Sequence, residues 1–125
     1  YEWTKYREEG KKKDRPGAFQ IGWTGDNGDP DNFFATLFSC SAIGVSNYSS
    51  WCSKDFEDLI QKAKTTSDQA ERTKLYEQAQ AIFAKEAPAF LLAHSQVYSA
   101  VRKNVSGYAM DPLGIHRFDG VDKAE

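Results

Sequence analysis

The residues of this sequence that could do chemistry are concentrated in one loop, residues 24–32. Its three carboxylates are Asp26, Asp29 and Asp31. A calcium site of the EF-hand type needs oxygen ligands at its first, third and fifth positions and a Glu at its twelfth. Counted from Asp26, the third position is Gly28 and the twelfth is Leu37, so this type of calcium site is excluded.

The glycines beside these carboxylates do not form a phosphate-binding motif. Gly22, Gly25 and Gly28 match neither the dinucleotide-binding nor the P-loop spacing, and the carboxylates would repel phosphate. A carboxylate pair for acid/base hydrolysis stays open, although nothing in the sequence fixes the separation of its two groups. The loop suits a cation best, and it favours an amine held by a carboxylate beside exposed backbone groups.

Each candidate also has an ordinary structural explanation. An Asp beside Asn-Gly commonly hydrogen-bonds its own backbone in a turn, which would account for Asp26. A tryptophan at a strand end is more often part of a core than a ligand wall, which would account for Trp23. His94 and His116 lie far apart in the sequence, and structural histidines outnumber metal or haem ligands. We therefore predict no catalytic residue, no metal site and no cofactor.

Two cysteines, Cys40 and Cys52, enclose a polar segment rich in Ser, Gly and Asn. Exported proteins place disulfides in local polar segments of this kind, and a bridge closing a loop of this length stabilises a fold by about 3 kcal/mol. A disulfide is the favoured interpretation, and two reduced thiols in a cytosolic protein are the alternative. A catalytic pair of Cys40 with His94 would need a free thiol and conflicts with the bridge.

Composition and charge narrow the class of protein. The 125 residues suffice for one domain, and 40% hydrophobic residues suffice for a core. The 16 basic and 18 acidic residues give a net charge of -2, without the basic excess of a nucleic-acid-binding surface. Apolar runs are far shorter than the about 20 residues that cross a bilayer, so we predict a soluble chain without direct membrane insertion. The start at Tyr1, with no leader-like segment, is typical of a cut end.

The loop needs elements on either side to position it. Phe19, Ile21 and Trp23 stand at every second position, which predicts a strand leading into the loop. Asp29 is placed to cap a helix whose first residue is Pro30, with an apolar stripe facing the core. The residues of that stripe are Phe33, Phe34, Leu37 and Phe38.

Three further helices are predicted. Residues 1–10 are compatible with a helix that stops at Gly10. Ser53 is a suitable N-cap for the second helix, and residues 68–86, which Pro88 ends, have the clearest helical pattern of the sequence. The apolar face of the second helix has Phe56, Leu59, Ile60 and Ala63, and that of the third has Leu75, Ala79, Ile82 and Phe83.

The remaining segments are extended in character. Residues 89–94 form a short apolar run suited to a buried strand, and residues 97–101 continue it. Residues 108–118 hold Pro112 and Gly114 and suit irregular or edge structure. Strands that alternate with helices predict an α/β fold.

Taken in order, these residues resemble a known family. Residues 22–33, followed by Cys40 and by residues 46–48 and 51–52, resemble the C-terminal part of bacterial dipeptide-binding proteins. These are the solute-binding components of ABC peptide importers, in the oligopeptide/dipeptide/nickel class. The resemblance covers nearly the whole chain, and it continues through residues 56–60, 87–89, 93–95, 101–103, 107–108 and 111–114.

The resemblance implies a fold. It places the chain in an α/β, two-lobed, type II periplasmic binding protein-like architecture, of which the chain is a C-terminal piece. Residues 1–95 would belong to the C-terminal lobe, and residues 96–125 would form a hinge crossover and a returning tail on the N-terminal lobe. Hinge closure around a ligand is the expected motion. Both cysteines stand in register with the family, which supports the bridge and a periplasmic location.

The resemblance also implies a non-enzymatic function, the capture of dipeptides or short peptides for a permease in the inner membrane. Asp26 would pair with the α-amino group of the ligand, and the backbone of Gly22, Trp23, Thr24 and Gly25 would pair with the peptide as an added strand. A glutathione- or haem-binding relative is an alternative of the same class. A free-standing interaction domain is the alternative of another class, and it should not leave apolar surface exposed in residues 97–118.

Overall fold

The computed structural model describes residues 1–124, in two units: Tyr1–Phe90, and a second unit that begins at Leu91. The predicted boundary after residue 95 refers to the lobes of a larger protein and stays a prediction. Across residues 1–124, no helix combines the length and the apolar character needed to cross a membrane.

Two helices, α1 (Trp3–Gly10) and α2 (Asp31–Phe38), flank the loop of residues 24–32. The carboxylate of Glu2 caps α1 by accepting the amides of Thr4 and Lys5 at 2.9 and 3.2 Å. The predicted stop of α1 at Gly10 is confirmed. In contrast, α2 begins one residue later than predicted, because Pro30 occupies the cap position, although the Asp29 carboxylate accepts the amide of Asp31 at 2.8 Å.

Two longer helices, α3 (Lys54–Thr65) and α4 (Gln69–Glu86), form the core of the first unit. Their buried residues are Phe56, Ile60 and Ala63 from α3 and Leu75, Tyr76 and Ala79 from α4. The N-cap Asp68 starts α4 by accepting the amide of Glu71 at 2.7 Å. Both helices agree with the sequence prediction. Ser53 occupies the N-cap position of α3 as predicted, although its hydroxyl donates to Glu86 at 3.4 Å and does not accept a helix amide.

The stripe predicted on α2 is only partly inside this core. Phe34 and Phe38 pack against it, and the Phe34 ring stacks on Tyr76 with centroids 5.6 Å apart. Phe33 stays 39% exposed because its ring turns toward the loop instead: a Cβ at Gly25 would lie 2.8 Å from Phe33 Cε2. The prediction for Phe33 is therefore wrong, and its ring occupies the space that Gly25 leaves.

The strand predicted through Phe19, Ile21 and Trp23 is wrong, since residues 18–25 lie outside every helix and strand. The Phe19 ring is fixed by aromatic stacking, with centroids 4.5 Å from Tyr6 and 4.9 Å from Tyr48. A strand exists only when another strand pairs with its backbone. Within residues 1–124, no backbone hydrogen bond joins residues 21–25 to another main-chain group.

The predicted disulfide is present, joining Cys40 and Cys52 with Cα atoms 4.7 Å apart. The closed loop is organised around Asn47, which is 2% exposed. The Asn47 amide donates to the carbonyls of Ser39 and Trp51 at 3.0 and 2.9 Å, and its oxygen accepts the Ser49 hydroxyl at 2.8 Å. The loop is thus ordered by a side-chain network as well as by the bridge.

Residues 91–124 contain four strands of two residues each, in two antiparallel pairs. β1 (Val105–Ser106) pairs with β4 (Asp122–Lys123), and β2 (Ala109–Met110) pairs with β3 (His116–Arg117). The strands predicted at residues 89–94 and 97–101 are wrong, because residues 89–101 lie outside every helix and strand. Phe90 and Leu91 are 85% and 73% exposed, so this apolar run has neither the sheet nor the cover that a buried strand needs.

Candidate functional site

The loop that carries Asp26 is held together by one side chain, Asn32, in the first turn of α2. The Asn32 Oδ1 atom accepts the indole N–H of Trp23 at 2.8 Å and the backbone amide of Asp26 at 3.2 Å. The Asn32 Nδ2 atom donates to Oδ2 of Asp26 at 3.1 Å. One amide therefore joins the Trp23 indole to the carboxylate that was predicted to bind the ligand.

The three carboxylates of the loop have different partners. Asp29 Oδ1 accepts a hydrogen bond from Nη2 of Arg72 on α4 at 2.8 Å, and Asp31 Oδ2 lies 3.8 Å from the ammonium of Lys64 on α3. Asp26, which is exposed, bonds the neutral amide of Asn32. Two of the carboxylates thus neutralise cations of this chain, and Asp26 presents its charge to the surface.

Arg72 fixes the base of the loop. Besides its bond to Asp29, it donates from Nε to the carbonyl of Ala63 at 3.0 Å and from Nη2 to the Tyr76 hydroxyl at 3.1 Å. The Arg72 guanidinium holds the pKa of Asp29 below its ordinary value, and burial raises the pKa of Tyr76. The loop is therefore attached to the α3–α4 core through an ion pair.

Beside Asp26 the main chain is accessible. Residues 20–24 are exposed and Gly25 is half-buried, and Trp23 is 41% exposed while its indole N–H is bonded to Asn32. The backbone N–H and C=O groups of residues 21–25 have no main-chain hydrogen-bond partner within the described part of the chain. A carboxylate next to such a segment can bind an amine and the amide groups that follow it.

The five residues predicted for the site, Gly22, Trp23, Thr24, Gly25 and Asp26, are consecutive in the sequence, and their role stays a prediction. The structure adds Asn32 and Arg72, which were not predicted from the sequence. Trp23 and Asn32 are nine residues apart, and Asp29 and Arg72 are 43 apart, so no local spacing rule links either pair. The Asp-Asn dipeptide at the start of a helix was the one available signal, since a polar side chain there can bond backward to the loop.

The other candidates for chemistry lie elsewhere. The disulfide removes the thiol that a Cys40–His94 pair would need. His116 Nδ1 lies 2.6 Å from the Tyr108 hydroxyl in the second unit, and His94 is exposed. Among residues 1–124, no group of three or more His, Cys, Asp or Glu side chains is arranged to hold a metal ion.

Known proteins similar to this chain place this geometry in context. The chain matches no protein-family model. It is 55% identical, over 97% of its own length, to a dipeptide-binding protein of Escherichia coli, of which it covers 23%. It is 40% identical, over 97% of its length, to heme-binding protein A of Haemophilus influenzae, of which it covers 22%.

A solved structure shows the same similarity. The dipeptide-binding protein of a Pseudoalteromonas species, in complex with Met-Leu, matches 99% of this chain with a TM-score of 0.83 at 30% identity. The chain covers 24% of that protein. The chain is homologous to a segment of the dipeptide-binding proteins. It spans about a quarter of the length of these proteins.

Homology to the dipeptide-binding proteins settles the fold class. The chain is part of an α/β fold of the type II periplasmic binding protein class, as predicted from the sequence. The four helices and the short strand pairs are the portion of that fold that the chain contributes. The names of the relatives describe binding of solutes.

Proposed function

We propose that this chain is a ligand-binding segment of the solute-binding component of an ABC importer. In this proposal the whole protein works in the periplasm, encloses a dipeptide or short peptide between two lobes, and delivers it to a permease in the inner membrane. No step of this function makes or breaks a covalent bond, so the proposed role is a non-enzymatic one. The homologous protein solved with Met-Leu and the peptide-binding relatives support the ligand class.

One observation carries the assignment of the site: the exposed carboxylate of Asp26 lies beside residues 22–25, whose backbone has no main-chain hydrogen-bond partner among residues 1–124. The α-ammonium of a peptide would pair with Asp26, and the backbone of residues 22–25 would bond the peptide amides as an added strand. All dipeptides share an ammonium and an amide at a fixed distance. A site that binds these two groups reads the common feature and leaves the side chains of the peptide free to vary.

The first test is the substitution Asp26→Ala in the full-length protein, followed by titration calorimetry with a dipeptide. We expect affinity to fall by about 30-fold or more, equivalent to about 2 to 5 kcal/mol, because lobe closure would bury the ammonium without its partner. Asp55→Ala is a matched control, since Asp55 is an exposed carboxylate on α3 outside the loop. Equal affinity of the Asp26→Ala and Asp55→Ala variants would overturn the proposal.

Haem is a second candidate ligand, because one relative at 40% identity is named as a heme-binding protein. Haem has no α-ammonium, so its affinity would not depend on an amine-binding carboxylate. Haem titrations of the wild-type protein and the Asp26→Ala variant separate the two candidates. If both proteins bind haem tightly and equally, and neither binds a dipeptide, haem is the ligand and the peptide is not.

A free-standing interaction domain is disfavoured by the second unit. Several large apolar side chains that such a domain would bury are exposed: Val97, Tyr98, Val101, Ile115 and Phe118, at 55%, 82%, 45%, 53% and 69%. Surface of this kind marks a region that packs against more protein. We therefore prefer a segment of a larger binding protein.

A further inference from the structure

We propose that Asn32 is a positioning residue for peptide binding, which sets the direction of the Asp26 carboxylate and of the Trp23 indole with a single side-chain amide. This inference rests on the proposed function, in which Asp26 receives the ammonium of the peptide. It adds a residue that acts through Asp26 and Trp23.

The hydrogen bonds of Asn32 determine which way its amide faces. The indole N–H of Trp23 can only donate, and so can the backbone N–H of Asp26, so the amide oxygen must face both. These bonds measure 2.8 and 3.2 Å. The amide nitrogen then points to Asp26 Oδ2, at 3.1 Å, where it meets a group that only accepts when ionised. All three bonds agree on one orientation.

This arrangement gives the two oxygens of Asp26 different tasks. Oδ2 is bonded to Asn32 Nδ2, and the carboxylate is thereby held with Oδ1 available for a ligand. Asp26 is exposed, and an exposed carboxylate without such a bond would rotate among its side-chain conformations. Holding it in one conformation before the peptide arrives reduces the entropy lost on binding.

Asn32 can act as a fixed point because its own backbone is anchored. The backbone N–H of Asn32 donates to the carbonyl of Asp29 at 3.1 Å, and the Asp29 side chain is bonded to Arg72 of the core at 2.8 Å. The path from the α3–α4 core to Asp26 therefore passes through Arg72, Asp29 and Asn32. A side chain on the first turn of α2 is in this way held more firmly than one on the loop itself.

The position requires a side chain that both donates and accepts. An Asp at position 32 could still accept from Trp23 but would place a second carboxylate against Asp26, and like charges at this distance repel. An Ala would remove all three bonds and leave the helix intact. Asn32→Ala therefore tests the loss of the side-chain amide, and Asn32→Asp tests the replacement of its donor group by an acceptor.

The test uses the full-length protein and titration calorimetry with a dipeptide, on the variants Asn32→Ala and Asn32→Asp. We expect Asn32→Ala to weaken binding about tenfold and Asn32→Asp to weaken it further. Asn27→Ala is the matched control, because Asn27 lies in the same loop and its side-chain oxygen accepts the backbone amide of Asp29 at 3.0 Å rather than bonding Asp26 or Trp23. We expect Asn27→Ala to change affinity by less than about twofold.

A spectroscopic measurement separates positioning from general loosening of the loop. With 5-fluorotryptophan incorporated, the resonance of Trp23, assigned by Trp23→Phe, should shift in Asn32→Ala and stay unchanged in Asn27→Ala. An unshifted resonance in Asn32→Ala would contradict the bond between Asn32 and the indole. Equal loss of affinity in Asn27→Ala and Asn32→Ala would show a loop effect and would also overturn the inference.

A double variant separates failure of this inference from failure of the proposed function. If Asn32 acts through Asp26, adding Asn32→Ala to Asp26→Ala should cost less than about twofold, because coupled residues are not additive. A full additional tenfold loss would show that Asn32 acts independently of Asp26, and it would overturn the claim that Asn32 positions this carboxylate. If Asp26→Ala weakens binding and Asn32→Ala leaves the affinity unchanged, the positioning role of Asn32 is wrong and the proposed function is unaffected. If Asp26→Ala leaves the affinity unchanged, the proposed function is itself wrong.

Discussion

At the scale of the residue, Asp26 and Asp29 show how one loop assigns two carboxylates to different tasks. They are three residues apart, and both stand next to glycine or proline in a turn. Asp29 is bonded to Arg72 and to the amide of Asp31, so its charge stabilises the fold. Asp26 is bonded to a neutral amide and is exposed, so its charge is available to a ligand.

The Asp29–Arg72 ion pair makes stability depend on pH. The hydrogen bond from Arg72 lowers the pKa of Asp29 below its ordinary value in the folded chain. A lowered pKa means that the stabilisation is present above about pH 4 and is lost as pH falls through the folded pKa. We expect Asp29→Asn to lower the free energy of unfolding by up to about 1 kcal/mol at neutral pH, since both side chains are about 30% exposed.

Chemical denaturation of the wild type and Asp29→Asn across this range checks the prediction. The difference between the two proteins should be largest near neutral pH and should shrink as the solution becomes more acidic than about pH 4. Arg72→Gln should show the same trend, on top of a constant loss from its bonds to Ala63 and Tyr76. A difference that does not change with pH would exclude the ion pair as its cause.

At the scale of the element, the helices were predictable from sequence and the strands were not. The helices of residues 54–65 and 69–86 pack against each other through their apolar faces. The helical spacing of the apolar residues was therefore enough to predict both helices. The alternation of Phe19, Ile21 and Trp23 is equally regular, but a strand depends on a second strand from elsewhere, which period does not reveal. The strand predicted at residues 89–94 is wrong for the same reason.

The candidate site was predictable in its charge and not in its geometry. The carboxylates, glycines and proline of residues 24–32 identify a loop that suits a cation, and the family resemblance selects Asp26. The bonds from Asn32 arise because α2 brings its first turn back against the loop, and the bond from Arg72 arises from the packing of α4. Such contacts depend on the tertiary fold and leave no pattern in the local sequence.

The Cys40–Cys52 loop lies between α2 and α3. It has a disulfide at its ends, and Cys40 also donates its amide to Glu57 of α3 at 2.9 Å. Removing the bridge with Cys40→Ser and Cys52→Ser together should lower the free energy of unfolding by about 3 kcal/mol, because the unfolded chain regains the freedom of the loop.

Denaturation with and without reductant checks this figure. The wild type in reductant should match the double variant, and reductant should leave the double variant unchanged. Equal stability of the oxidised wild type and the double variant would show that the Asn47 network orders the loop without help from the bridge.

At the scale of the whole molecule, the second unit and the segment that leads into it expose a large apolar surface. Among its exposed apolar side chains are Phe90, Leu91, Leu92 and Tyr98, at 85%, 73%, 67% and 82%. In the proposed full-length protein this surface would be covered by the other lobe. The 125-residue chain by itself should therefore associate with other copies as its concentration rises.

Static light scattering on the isolated chain measures this association directly. We expect the apparent mass to increase with concentration, and Leu91→Lys with Leu92→Lys to reduce the increase by interrupting the apolar surface. A monodisperse monomer at all concentrations, with high stability, would favour the free-standing domain over a segment of a larger protein.

In the proposed function the protein binds a peptide by its α-ammonium, and acetylation removes the charge of that group. Calorimetry of the full-length protein with a dipeptide and with its N-acetylated form compares two ligands that differ in the charge opposite Asp26. We expect the free dipeptide to bind measurably and the acetylated one to bind more weakly by about 30-fold or more. Equal affinity for the two ligands would contradict the proposed function.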